Sequence, residues 1–182
     1  MNYQKQIISE VSKTFLAVNP IQLQTVVDRI QHSGKVFCNG LGRSSLAMRG
    51  FVMRLVQLGR PGCMVGEVTT PAFGKDDLLL ICSASGTSPV LLYHAQQAIR
   101  QGGSVAIITG SPASPLGELA GDIILIPASN KDSDQSELTS IQPMGSLFEQ
   151  TSQLVCDTLT LMLMERMHIS ADDMRKRHAN IE

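Results

Sequence analysis

The chain predicts a three-layer α-β-α sandwich built on a parallel sheet, and three observations carry that expectation. Between residues 34 and 127, short apolar runs alternate with helix-patterned segments five times, the pattern of strands joined by right-handed crossovers. The runs, above all Leu78-Leu79-Leu80-Ile81-Cys82, are continuously apolar, as strands covered on both faces are. Two of them empty into small, hydroxyl-rich turns, and ligands of open parallel sheets collect at such strand ends.

The elements follow in order. Ile7, Ile8, Val11, Phe15 and Leu16 recur at helical spacing from Tyr3 to Val18. Asn19-Pro20 then supplies an N-cap and a first-turn proline, and Leu23, Val26, Val27 and Ile30 carry a second helix to about His32. Residues 1–33 thus form an N-terminal helical pair. Lys35–Asn39 is the first strand; its turn, residues 40–45, holds Gly42, Arg43, Ser44 and Ser45 before a helix marked by Leu46, Phe51, Met53, Leu55 and Leu58. Ser44 or Ser45 is also suited to cap that helix. Residues 62–65 form a short strand, and Val68 to Lys75 is expected to include a short helix. The central strand, 78–82, leads through Ser83-Ala84-Ser85-Gly86-Thr87-Ser88 to Pro89 and a helix reaching Gly102. Strand 104–109, a short helix at 115–119 and strand 123–127 complete the α/β core, residues 34–127. Residues 128–142 read as a long polar surface loop, and residues 143–182 as C-terminal helices and tail, with one long, nearly all-round apolar helix from Ser146 to about His168.

The turn at residues 83–88 is the chemical centre of the sequence. Ser88 is placed to cap the next helix and Pro89 to open it, so amides at the positive end of that helix and several hydroxyls converge on one point, where a phosphate fits. The turn has neither the lysine of a nucleotide P-loop nor the glycines of a dinucleotide site. A phosphorylated small molecule is the expected ligand.

Composition excludes several classes. The net charge is −1, with scattered basic residues, seven aromatics and no tryptophan, which argues against nucleic acid. Cys38, Cys63, Cys82 and Cys156 have no metal-type spacing and read as reduced thiols, so no metal and no cofactor is expected. Neither a signal peptide nor a membrane-length apolar run is present, and a cytoplasmic protein is the expectation.

Four segments, NGLGRSSL at 39–46, SASGTSPV at 83–90, QPMGSLFEQ at 142–150 and RHANIE at 177–182, together resemble the 6-phospho-3-hexuloisomerases, members of the sugar isomerase (SIS) domain class. The resemblance covers essentially the whole chain as one SIS domain. It implies a flavodoxin-like five-stranded sheet, a homotetramer with shared active sites, and cofactor-free interconversion of D-arabino-3-hexulose 6-phosphate and D-fructose 6-phosphate. By position it implies phosphate contacts from Ser44, Ser83, Ser85 and Ser88 and from amides around Gly86 and Thr87, with Glu149 as the proton-transferring base. His178 would open the sugar ring or shuttle the oxygen-bound proton, from a tail reaching a neighbouring subunit's pocket. The usual SIS loop often carries a glutamate where Thr87 stands here.

Each assignment has a plainer competitor. Ser146-Leu147-Phe148-Glu149 fits a capping box, in which the glutamate would serve the helix start. A histidine four residues from the C-terminal end is ordinarily solvated. Arg43 and Glu67 are pocket candidates, Glu67 equally a surface-loop residue. The alternatives to the hexuloisomerase reading are an isomerase of the arabinose 5-phosphate type or a non-catalytic sugar-phosphate-binding protein.

Overall fold

Five apolar runs pair side by side into one parallel sheet in the computed structural model, which describes residues 2–128 and 140–181. The strands are β1 (Val36–Gly40), β2 (Gly62–Met64), β3 (Leu78–Cys82), β4 (Ser104–Thr109) and β5 (Asp122–Leu125). Their order is β2-β1-β3-β4-β5. The chain therefore winds outward from β1 to the edge strand β2, then crosses back to lay β3 on β1's other side. Strand order reverses between β1 and β3, and the crevice at their carboxyl ends is where such sheets bind ligands.

Side chains of each strand alternate between two cores. Val36, Cys38, Leu78, Leu80, Ala106 and Ile108 face the layer of α2 (Pro20–His32), α3 (Gly42–Gln57) and α6 (Ser146–Met167). Phe37, Leu79, Ile81, Val105 and Ile107 face α4 (Pro89–Arg100) and α5 (Pro115–Leu119). With both faces covered, β1 and β3 are buried at every residue, which accounts for their lack of polar alternation. α1 (Tyr3–Leu16) packs on α6 rather than on the sheet, and the short α7 (Ala171–Lys176) packs on α3.

Local chemistry sets the helix ends. Asn19 Oδ1 accepts the Ile21 amide at 2.8 Å with Pro20 beside it, as the sequence predicts. Ser170 and Asp173 form a reciprocal capping box on α7. Glu10 on α1 binds the stretch before α6: its carboxylate accepts the Ile141 amide at 2.9 Å and the Ser140 hydroxyl at 2.6 Å. Desolvation would raise the Glu10 carboxyl, but these bonds and that from Gln142 outweigh it and hold the group below its ordinary value.

The structure corrects three boundaries. No helix forms between Val68 and Lys75; the segment is turns. There the Thr70 hydroxyl caps the carbonyls of Met64 and Glu67, and the Asp77 carboxylate accepts the Gly74 amide at 2.8 Å. α3 begins at Gly42, so Arg43, Ser44 and Ser45 lie in its first turn and not in a preceding loop. Neither serine caps it, because the cap position is Leu41 and Ser45 Oγ donates instead to the Gly42 carbonyl at 2.9 Å. Most of the expected loop at 128–142 lies outside the described residues.

Candidate functional site

Register brings the two hydroxyl-rich turns together. Gly40, the last residue of β1, pairs with Cys82, the last of β3, so the start of α3 and the loop 83–88 leave the sheet side by side. The approach is close enough to require glycine: a Cβ on Gly40 would lie 3.1 Å from the Cys82 carbonyl oxygen and 3.2 Å from the Ser44 backbone. Gly42, at φ +55°, turns the chain directly into α3. Opposite them, Met144 in the left-handed region (φ 59°) turns the chain into α6.

A cavity of about 350 Å³ opens between these elements. Arg43 and Ser44 line it from α3, Ser83, Ser85 and Ser88 from the loop after β3, and Gly145, Phe148 and Glu149 from the start of α6. The volume is at the small end of the roughly 300–1,000 Å³ span of ligand sites. The amino ends of three helices, α3, α4 and α6, meet around it, and their unpaired amides and dipoles favour an anion.

The loop is held from behind. Ser83 Oγ accepts the Gly86 amide at 3.2 Å, and the Ser85 and Thr87 hydroxyls lie 3.0 Å apart. Ser88 occupies the N-cap of α4, but its side chain makes no capping bond, so its hydroxyl is available to the cavity it lines. Gly86 is buried against α5 and Thr87 is exposed; neither is among the lining residues.

Glu149 does not serve the helix start. Gly145, not Ser146, is the N-cap of α6 and no side chain caps it; the Ser146 hydroxyl donates to the Pro143 carbonyl at 2.8 Å and accepts from Arg43 Nη1 at 3.1 Å. The capping box is therefore absent. Glu149 Oε2 lies 2.8 Å from Arg43 Nη1, yet it is buried and among the described residues takes no directed hydrogen bond, while Arg43 Nη1 donates to Ser146. Among the described residues, Glu149 is the only carboxylate lining the cavity.

Cys82 forms part of the floor. Its burial, against the partial relief of the Ser152 and Ser44 hydroxyls, pushes the thiol up to about 11, so it stays protonated near neutral pH. Cys82, Phe148 and Met144 were not legible as site residues because each matches an apolar pattern that packing alone explains.

Two candidates lie elsewhere in the chain. Glu67 sits in the turn after β2, paired with Arg49 at the surface and outside the cavity; its carboxylate is neutralised where it stands. His178 is exposed, its Nδ1 2.8 Å from the Ala179 carbonyl. Arg177 beside it donates to the Gln57 carbonyl at the far end of α3, whereas Ser44 is in that helix's first turn, roughly 20 Å away at 1.5 Å per residue. Within one chain, His178 does not reach the cavity.

Residues 29–154 match the SIS domain family model. The chain belongs to the SIS domain family. A Bacillus subtilis relative named 3-hexulose-6-phosphate isomerase is 37% identical over 180 residues, 99% of this chain and 97% of that protein. A Mycobacterium gastri protein of the same name is 38% identical over 95% of this chain and 86% of its own length. A crystal structure from Methanococcus jannaschii, described as inferring a molecular function of 3-hexulose-6-phosphate isomerase, superposes with a TM-score of 0.85 at 28% identity, covering 100% of both chains. The likeness thus extends beyond the residues of the family model to the whole chain.

Proposed function

We propose that this SIS chain is a 3-hexulose-6-phosphate isomerase that interconverts D-arabino-3-hexulose 6-phosphate and D-fructose 6-phosphate. The observation that carries the reading is a carboxylate, Glu149, standing in the serine-lined cavity with no capping task to explain it. The near full-length relatives of that name support it. A binding-only protein has no need of a base there.

The chemistry follows from the layout. The phosphate is gripped by the hydroxyls of Ser83, Ser85 and Ser88 and the amides of the loop, which fixes the sugar and lets the carbon chemistry proceed as if unimolecular. Glu149 takes the proton from C2 of the 3-ketose. The C2–H electron pair forms the C2–C3 double bond of a cis-enediolate as the C3 carbonyl π electrons move to oxygen. Return of the proton to C3, with the proton of the C2 oxygen passing to the C3 oxygen, gives the 2-ketose. Donors aimed at the developing oxyanion stabilise it most, and Ser44, which lines the cavity from the first turn of α3, serves here. Arg43, half-exposed between Ser146 and Glu149, keeps the carboxylate at the cavity wall.

The oxygen-bound proton requires a second group, and His178 of a neighbouring copy fills that role, because imidazole serves as both general acid and general base. An apolar groove lined by Ile7, Ile8, Val11, Phe15, Leu46 and Leu154 adjoins the cavity and shares Arg43 and Glu149 with it. Exposed apolar surface of this kind marks an interface. A cytoplasmic homotetramer with shared sites accommodates these features. Two assays test the proposal together: fructose 6-phosphate should form from the 3-hexulose with wild type, and His178→Ala should slow it about 10²-fold, the lower range for loss of a general acid–base group. Unchanged turnover in His178→Ala would remove the tail from the mechanism.

A further inference from the structure

The loop that grips the phosphate is shaped from behind by a residue outside the cavity. Thr109, the last residue of β4, is fully buried. Its hydroxyl donates to the Ala84 carbonyl at 3.3 Å and accepts the Ser111 amide at 3.0 Å. The Gly110 amide donates to the same Ala84 carbonyl at 3.1 Å. Two donors from one strand end thus hold a single carbonyl of the loop.

A trans peptide carries its carbonyl and its N–H in opposite directions, and there is no cis bond among the described residues. With the Ala84 carbonyl held against β4, the Ser85 N–H of the same peptide faces the other way, toward the cavity that Ala84 and Ser85 line. Among the described residues this N–H has no acceptor. The Leu116 amide likewise holds the Gly86 carbonyl at 3.1 Å, turning the Thr87 N–H away from α5, also without a partner. The Gly86 amide is spoken for, since it donates to Ser83 Oγ.

We infer that Thr109 is a positioning residue for phosphate recognition: it fixes the Ala84–Ser85 peptide so that the Ser85 amide is presented to the ligand. The inference rests on the phosphate reading of the cavity. A flat apolar strand end would leave that peptide to the Gly110 bond alone, and the free N–H would sample other directions before each binding event.

The test is titration calorimetry with fructose 6-phosphate and with inorganic phosphate on wild type, Thr109→Val, Thr109→Ser and Thr160→Val. Thr160 is an equally interior hydroxyl, bonded to Cys156 within α6, and reports the effect of a lost buried hydroxyl alone. Thr109→Val should weaken both ligands roughly three- to tenfold, one hydrogen bond's worth, while Thr109→Ser and Thr160→Val stay within about twofold of wild type. Equal affinities in Thr109→Val and wild type would overturn the inference, as would equal weakening in Thr160→Val. Should Thr109→Val fail to fold, amide NMR of the wild type decides. Added phosphate should shift the Ser85 and Thr87 N–H resonances more than that of Gly86, and the reverse order would overturn the inference. These readouts are of binding, so a failure of the isomerase reading shows separately, as a wild type that binds sugar phosphate without turnover.

Discussion

Glu149→Gln is expected to lower turnover of the 3-hexulose by about 10²- to 10⁴-fold, the range for loss of a general base, while fructose 6-phosphate binds as before. The substitution is nearly isosteric, so the shape of the cavity wall between Arg43 and Phe148 is kept. The fold has little to lose. Among the described residues, Glu149 Oε2 accepts no directed hydrogen bond, no side chain caps the helix start, and the contact with half-exposed Arg43 is of the kind that contributes roughly 0–1 kcal/mol. The melting temperature should therefore move by no more than about 2–4 °C, the shift that 1 kcal/mol produces in a chain of this length. Steady-state kinetics beside calorimetry separates the outcomes: lost turnover with retained affinity assigns the base, and retained turnover assigns the proton transfer elsewhere.

Gly86→Ala should damage both stability and binding. Gly86 sits at φ +66°, and a Cβ there would lie 1.9 Å from Ser114 Oγ and 2.6 Å from Ser114 Cβ. Left-handed backbone at a residue with a side chain costs roughly 1–2 kcal/mol, and the clash adds to it by forcing the loop off α5. Ser114 is itself the cap of α5, accepting the Gly117 amide at 3.3 Å, so its displacement frays that helix as well. We expect a melting temperature lower by about 5–10 °C and sugar-phosphate affinity lower by more than about tenfold, since the Gly86 and Thr87 peptides move with the loop. Adding Ser114→Gly to Gly86→Ala removes the clash but not the backbone strain, so part of the loss should return, a coupling expected only of residues in contact. Calorimetric melting and fructose 6-phosphate titration on the single and double variants read both effects. A double variant no better than the single would place the cost outside this contact.

How much of this was written in the sequence depends on what kind of signal each element carried. The strands were legible because burial on both faces demands uninterrupted apolar residues, as in 78–82. Asn19-Pro20 marked α2 because capping chemistry is local. The start of α3 was not legible: Gly42, Arg43 and Ser44 border the cavity, and with Ser45 they look like a turn although they are wound as helix. The segment 68–75 misled in the opposite sense, with its backbone claimed by Thr70 and Asp77, the latter reaching from next to β3. At α6 the S-x-x-E pattern matched a capping box one position out of phase, because Gly145 takes the cap and Ser146 turns to Pro143 and Arg43. That shift separates a structural glutamate from one facing the cavity, and pattern alone does not show it. The role of Thr109 was invisible because its bond to Ala84 spans two strands. His178 sits at the opposite end of α3 from the cavity, and its assignment rests on a second copy.

The most direct test of the account is to supply D-arabino-3-hexulose 6-phosphate to the wild-type protein in D₂O and follow the product by NMR. Fructose 6-phosphate should appear, with solvent deuterium entering at C3, the carbon that the proposed base Glu149 would reprotonate, and none at C1. No fructose 6-phosphate, or deuterium at C1 with C3 untouched, would contradict the account, because exchange at C1 belongs to an aldose–ketose isomerase.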